Sequence, residues 1–95
     1  MRGFFRSEGA LVCDGVSLES IAHEHATPLY VYSAESIRRS YRELDEAFAA
    51  HPHRVHYALK ANSALAVLRT LRALGAQADA NSVGEIEVAL RAGFI

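Results

Sequence analysis

A lysine at the end of an apolar run carries the most chemical information in this chain. In Val55-His56-Tyr57-Ala58-Leu59-Lys60-Ala61-Asn62-Ser63, Lys60 closes an extended stretch just ahead of a helical pattern. A lysine at a strand tip that faces a cavity is stripped of water. Desolvation disfavours the ammonium form and leaves a free amine able to form a Schiff base with a carbonyl. By position alone, a lysine that caps a strand and points into solvent is the commoner case, so the surrounding residues must decide. Two carboxylates follow, Asp79 at the end of a weak strand pattern and Glu85 at the start of a helix. Ser82 and Glu85 have the spacing of a capping box, which accounts for both without catalysis. Asn62 and Ser63 read first as a turn and a helix N-cap.

The histidines do not assemble into a metal site. His51 and His53 flank Pro52 in a loop, and neither they nor His56 are joined by a cysteine or acid that completes a ligand set. His23 and His25, two apart on a helical stretch, point in different directions. Cys13 is the single cysteine, so no internal disulfide forms and a reducing, cytoplasmic setting is expected.

The elements that must position Lys60 are readable from apolar spacing. Ala10 to Val16 forms a short strand broken by an Asp14-Gly15 turn. Ser17 caps a brief helix through Leu18, Ile21 and Ala22, ended by Thr27-Pro28. Leu29-Tyr30-Val31-Tyr32 is aromatic and β-branched, the composition of a strand. Ser33 caps an amphipathic helix with Ile37, Tyr41, Leu44 and Phe48 on one face. Val55 to Lys60 is the next strand, with Val55, Tyr57 and Leu59 on one face and His56, Ala58 and Lys60 on the other. A helix from about Ser63 carries Leu65, Leu68, Leu71 and Leu74 and closes at Gly75. Ala76 to Asn81 is a weaker strand, and a last helix with Ile86, Ala89 and Leu90 closes at Gly93.

Strands alternating with helices from Ser33 onward predict a parallel sheet, in an open α/β fold or a (β/α) barrel. Two strands finish neither, since a barrel of eight units takes about 250 residues. The chain has 95 residues and stops at Phe94-Ile95, where a third strand is due, so the expectation is the front end of a larger enzyme. A net charge of −1 gives no general pull toward nucleic acid or acidic membranes. Met1 to Arg6 leads into Ser7 and Glu8 rather than an apolar leader core, and no apolar run approaches a membrane span. A soluble protein without nucleic-acid or membrane partners is expected.

Tyr57-Ala58-Leu59-Lys60-Ala61-Asn62 closely resembles the cofactor-lysine motif of the pyridoxal-phosphate-dependent decarboxylases of the alanine-racemase fold. Leu71-Arg72-Ala73-Leu74-Gly75, Ala78-Asp79-Ala80-Asn81-Ser82, Gly84-Glu85-Ile86 and Ala92-Gly93-Phe94 agree with that family in order and spacing. Thr27-Pro28-Leu29-Tyr30-Val31-Tyr32 resembles its lead-in, although relatives usually carry glycine where this chain has Ala26. Alanine racemases usually follow the lysine motif with a Tyr-Gly-His-Gly type stretch, and ornithine and arginine decarboxylases tend to replace Ala61. Ser63-Ala64-Leu65-Ala66 and Ala61 therefore favour the diaminopimelate decarboxylase branch. Carboxynorspermidine-type decarboxylases and a pyridoxal-phosphate homeostasis protein of related barrel fold are the alternative resemblances.

The resemblance implies the first units of a pyridoxal-phosphate-binding (β/α)8 barrel over residues 33–95. Residues 1–32 would supply a strand–helix segment of the family's accessory β-domain and the lead-in. It implies decarboxylation of meso-diaminopimelate to L-lysine, a small-molecule amino-acid substrate, and a homodimer whose later segments complete the site. Lys60 would hold the cofactor as a Schiff base. Ala58 would leave room for the pyridoxal ring, and Asp79 would lie near lysine and cofactor to manage protons. Glu85 matches a carboxylate around the pocket mouth. No metal is implied. The competing expectation is a truncated, inactive paralogue that acts, if at all, by associating with another chain.

Overall fold

The computed structural model describes residues 3–95; of the amino-terminal stretch discussed above, Met1 and Arg2 lie outside the described residues. The chain divides into two compact units, one ending at Ser36 and one running from Ile37 to Ile95.

The first unit is an antiparallel meander of β1 (Phe4–Ser7), β2 (Ala10–Cys13) and β3 (Val16–Ser17). Both links are two-residue turns, Glu8-Gly9 with φ 51° and 82° and Asp14-Gly15 with φ 51° and 81°. Two successive positive φ values match the right-handed twist of the flanking strands. Sequence reading finds the Asp-Gly turn and misses the first hairpin, because glutamate has no side-chain preference for such a turn. Val12 and Cys13 are buried. Burial pushes the Cys13 thiol up, the Asp14 charge adds to this, and a hydrogen bond with Ser33 opposes it.

Helix α1 (Leu18–His25) begins as expected, with Ser17 Oγ accepting from the Ser20 amide at 3.3 Å. It closes at Ala26, whose amide donates to the Ala22 carbonyl at 2.8 Å. Ala26 sits at φ 66° and ψ 170°, a region open essentially to glycine alone, where another residue costs about 1–3 kcal/mol. The segment Leu29–Tyr32 is not a strand, contrary to its composition. Strand preference reflects packing on a pleated surface, and Tyr30 and Tyr32 instead stack on each other, with Tyr30 88% exposed. Ser33 then caps α2 (Ala34–Ala47) by accepting from the Ser36 amide at 3.0 Å. It also donates to Asp14 Oδ1 at 2.6 Å, and Asp14 Oδ2 accepts from the Glu35 amide at 3.2 Å. The Asp14 carboxylate thus supplies negative charge to the first turn of α2.

In the second unit, Ile37 and Tyr41 of α2 pack against Val67, Leu71 and Ala76. Leu44 and Phe48, expected on the same buried face, are half exposed, so only the first half of the stripe is covered. β4 (His56–Ala58) is followed by a 3-10 turn (Leu59–Ala61), α3 (Leu65–Leu74), β5 (Gln77–Asp79) and α4 (Val83–Ala92). β4 and β5 pair in parallel, His56 with Gln77, Tyr57 with Ala78 and Ala58 with Asp79. The expected parallel strand–helix–strand unit is present, with shorter strands than the spacing suggests. α3 starts at Leu65 with Ala64 at its N-cap rather than at Ser63. The core joins Leu59, Leu68, Ala89, Ala92 and Phe94, with Tyr57, Leu65, Ala78 and Val88 packed on it. Of the α4 residues read as core, Ala89 is buried as expected, while Ile86 and Leu90 are exposed and Ala92 is buried instead. Alanines present little bulk to α3, so the two helices can approach closely. Gly75 and Gly93 close α3 and α4 at φ 107° and 101°. A side chain at Gly93 would also meet Arg72 Nε at 2.8 Å, because that nitrogen donates to the Gly93 carbonyl.

The loop into β4 is tied to α2 by His53. Its Nε2 lies 2.6 Å from Asp45 Oδ1 and its Nδ1 2.8 Å from the His51 carbonyl, with the ring against Phe48. Both ring nitrogens face acceptors, an arrangement that only the imidazolium satisfies fully. The His51 carbonyl, then Asp45, raise the pKa of His53 above its ordinary value. The last turn of α2 has no basic residue of its own, so the imidazolium also complements that helix end.

Two outcomes follow. Ala26→Gly should stabilise the protein by about 1 kcal/mol, relief of the positive φ outweighing the entropy of the added glycine; denaturant unfolding of the natural gene product measures this. His53 carries a raised pKa, so its contribution is complete below pH ~6.5 and disappears as pH rises through the raised value. Asp45→Asn should move the His53 titration down toward the ordinary histidine range, as read by histidine-resolved hydrogen exchange.

Candidate active site

The turn between β4 and α3 is built from side chains on both of its sides. Tyr57 Oη donates to the Asn62 carbonyl at 2.8 Å, bridging the four residues between them, Lys60 included. Leu59 is 1% exposed and anchors one side of the turn in the core. Asn62 Oδ1 accepts from the Ala64 amide at 3.0 Å, closing the link to α3. Lys60 stands in the middle and is exposed. Sequence reading placed it on the strand itself, two residues beyond Ala58 on the same face. The chain instead leaves the ladder after Ala58, because Leu59 turns into the helical core.

The parallel pair has two unlike faces. Tyr57 and Ala78 pack on the helices, so their register neighbours point away from that core. Ala58 and Asp79 are register partners on the second face, with His56 and Gln77 beside them. The structure thereby brings two of the candidate residues, Ala58 and Asp79, side by side, with Lys60 just beyond the carboxyl end of the same strand as Ala58. Asp79 is exposed, and Asn81 Nδ2 approaches its Oδ1 at 3.4 Å, a long contact. The desolvation expected of Lys60 is not supplied by the described residues.

Glu85 has a structural task. Its amide donates to Ser82 Oγ at 3.1 Å, and its carboxylate Oε1 accepts from the Asn81 amide at 2.8 Å. The two bonds satisfy two donors at the start of α4, with the carboxylate reaching the Asn81 amide rather than that of the cap residue Ser82. Asn81, expected inside a strand, lies past β5 with these partners. Two clefts, of about 360 and 230 Å³, open at the other end of the unit. Gly75, Gln77 and Gly93 line the first and His53, Val55 and His56 the second. Both lie toward the amino ends of the strands, whereas sites in (β/α) barrels form at the carboxyl ends. Among the described residues, no group of three metal-ligating side chains converges. No helix among them is long and apolar enough to cross a membrane.

Comparison with known proteins decides the lineage. The family model for the pyridoxal-binding domain of pyridoxal-dependent decarboxylases matches residues 34–95. The chain belongs to the pyridoxal-dependent decarboxylase family. Its relatives in that family include diaminopimelate decarboxylases of Vibrio cholerae, 43% identical over 94% of this chain and 21% of the relative, and of Pseudomonas aeruginosa, 45% identical over 98% and 22%. The crystal structure of the M. jannaschii diaminopimelate decarboxylase with L-lysine superposes with a TM-score of 0.86, at 35% identity over 96% of this chain and 22% of that one. The Helicobacter pylori enzyme, also complexed with L-lysine, gives 0.73 at 41% identity over 80% and 19%. The chain thus spans about a fifth of the length of the curated relatives it matches. The fold is that of the amino-terminal region of these decarboxylases, the pyridoxal-binding barrel of the alanine-racemase fold.

The residues present fit the aldehyde end of pyridoxal phosphate. An exposed primary amine, a methyl-sized neighbour and a carboxylate stand along the carboxyl edge of one parallel pair. Tyr57 and Leu59, members of the lysine motif to which sequence reading gives no role beyond the strand, build the turn that carries Lys60. The pairing of a tyrosine with a carbonyl five residues on has no periodic signature.

If Glu85 acts as a cap, its acceptor oxygen matters and its charge matters little. Glu85→Gln should then stay within a few tenths of a kcal/mol of wild type, whereas Ser82→Ala should lose about 1 kcal/mol. Urea unfolding measures both, and a loss of cofactor binding in Glu85→Gln would return Glu85 to the pocket mouth.

Proposed function

We propose that the protein carrying this chain decarboxylates meso-diaminopimelate to L-lysine with pyridoxal phosphate held by Lys60. The placement of Lys60 carries the reading: one exposed amine, beyond Ala58 and beside the strand of Asp79, at the carboxyl end of a parallel pair. Two structural neighbours of diaminopimelate decarboxylase type were solved with L-lysine, the product this reaction requires. The comparisons give no support to an inactive paralogue.

In this reading Lys60 would hold the cofactor through Nζ, the one lysine amine of this chain. Pyridoxal phosphate supplies an electron sink for the pair released as the carboxylate leaves. Ala58 keeps the face open for an aromatic ring, since a larger side chain would fill it. The Asp79 carboxylate, register partner of Ala58 on the same face, would move a proton at the reacting carbon. Water is excluded by parts of the protein beyond these residues, which would include a second subunit of a homodimer. Residues 1–32 belong, in the same proposal, to the accessory β-domain and lead-in, and the protein works in the cytoplasm on a small amino-acid substrate.

The test uses the natural gene product. Wild type should release carbon dioxide and L-lysine from meso-diaminopimelate, and borohydride should fix pyridoxal phosphate to the peptide containing Lys60. Lys60→Ala should lose both the label and turnover. Asp79→Asn should keep the label and lower kcat about 10²-fold, the range of a lost general acid–base group. Labelling spread over many lysines, with no turnover, would overturn the proposal.

A further inference from the structure

The side chain nearest in function to Lys60 that no motif role covers is Tyr57. Its ring lies on the helix side of β4 and packs against both apolar clusters, around Leu59 and Leu68 and around Val67 and Leu71. Its hydroxyl emerges from that packing to donate to the Asn62 carbonyl at 2.8 Å. The bond closes a loop of backbone whose centre is the 3-10 turn Leu59–Ala61.

Such a turn needs an outside tether. It is a single short turn with poorer hydrogen-bond geometry than an α-helix, and its leading residue, Ala58, offers no side-chain cap. At its far end Asn62 returns to extended geometry, φ −168° and ψ 115°, which turns its carbonyl out of the helical pattern. The Tyr57 hydroxyl takes up that carbonyl. Buried Leu59 holds the near side, Asn62 Oδ1 holds the Ala64 amide on the far side, and the backbone of residue 60 lies between fixed points.

We infer that Tyr57 is a positioning residue for Lys60, its hydroxyl holding the backbone from which the cofactor-binding amine reaches into the pocket. This deepens the proposed function and rests on it. A lysine side chain is flexible and loses much rotamer freedom when its tip is fixed. A mobile turn beneath it would add backbone freedom to that loss. Fixing the turn before the cofactor arrives removes the backbone part of the cost, the usual gain from preorganisation. Tyr57 touches neither substrate nor cofactor in this account and acts only through the turn.

The experiment compares wild type, Tyr57→Phe and Val67→Ala in the natural gene product, freed of cofactor and reloaded with pyridoxal phosphate. Tyr57→Phe keeps the ring in both clusters and deletes only the hydroxyl. Val67→Ala leaves a cavity in the cluster that the Tyr57 ring packs against and keeps the hydroxyl, so it separates loss of packing from loss of the hydrogen bond. The readouts are apparent affinity for pyridoxal phosphate, the absorbance of the bound cofactor, and borohydride-fixed label at Lys60, beside the melting temperature. Tyr57→Phe should lose about fivefold in apparent affinity, the worth of one net hydrogen bond, with altered absorbance. Val67→Ala should melt lower and load with wild-type affinity. Wild-type loading by Tyr57→Phe would overturn the inference, as would an equal loss in Val67→Ala, which would make the effect one of stability. A wild-type protein that carries no label at Lys60 would overturn the proposed function and this inference with it.

Discussion

The burial of Leu59 is the constraint on which the arrangement around Lys60 depends. β4 and β5 share a ladder only three residues long, and at Leu59 the chain leaves it. The reason is local: Leu59 lies among Leu68, Ala89, Ala92 and Phe94, contributed by both helices and by the chain two residues past α4. A fully buried leucine is worth about 1.5–3 kcal/mol, more than the roughly 1 kcal/mol of one more backbone hydrogen bond. The core therefore wins, the strand ends, and Lys60 is raised out of the sheet instead of lying in it. The residue next to the most buried side chain of the turn thus becomes exposed.

The unit divides its two faces by chemistry. On the helix side Tyr57 and Ala78 meet apolar residues, and hydrophobic burial holds that half together. On the other side stand His56, Ala58, Gln77 and Asp79. In a closed barrel the inward positions are mostly filled by branched aliphatic residues. Three of these four side chains are polar and exposed, so this face offers hydrogen-bonding groups to an occupant while the other is closed by apolar packing. The same sheet can therefore be stabilised from one face and used chemically from the other.

How much of this was legible follows from the range of each interaction. The caps at Ser17, Ser33 and Ser82 and the left-handed glycines at 75 and 93 were all readable, because each is decided within a few residues. The parallel pairing was readable from alternation. Tyr30 and Tyr32 misled because aromatic composition describes a surface that strands like and says nothing of a partner strand. Leu44 and Phe48 misled in the same way, since a stripe shows which face is apolar and not how far its cover extends. In α4 Ala89 was legible, but Ile86 and Leu90 lost the core to Ala92 and Phe94. At the candidate site Lys60, Ala58 and Asp79 came from motif resemblance, and the Ala58–Asp79 register is a result of structure. The Tyr57 tether was not legible, being one hydrogen bond to a backbone atom.

Under the role proposed for Lys60, the contrast between a held backbone and a free side chain suits what a cofactor-binding lysine must do. The amine has to meet the cofactor in one geometry, then give way to an incoming amine and remain close enough to return. A side chain packed along its whole length could not withdraw, and one rising from a mobile loop would seldom come back to the same place. Here Tyr57, Leu59 and Asn62 restrain the main chain on both sides of residue 60, while the four-carbon stem stays exposed. Position is thereby stored in the backbone and motion is left to the stem. An arginine would carry charge to the same place but could not serve, because its guanidinium stays protonated and is no nucleophile.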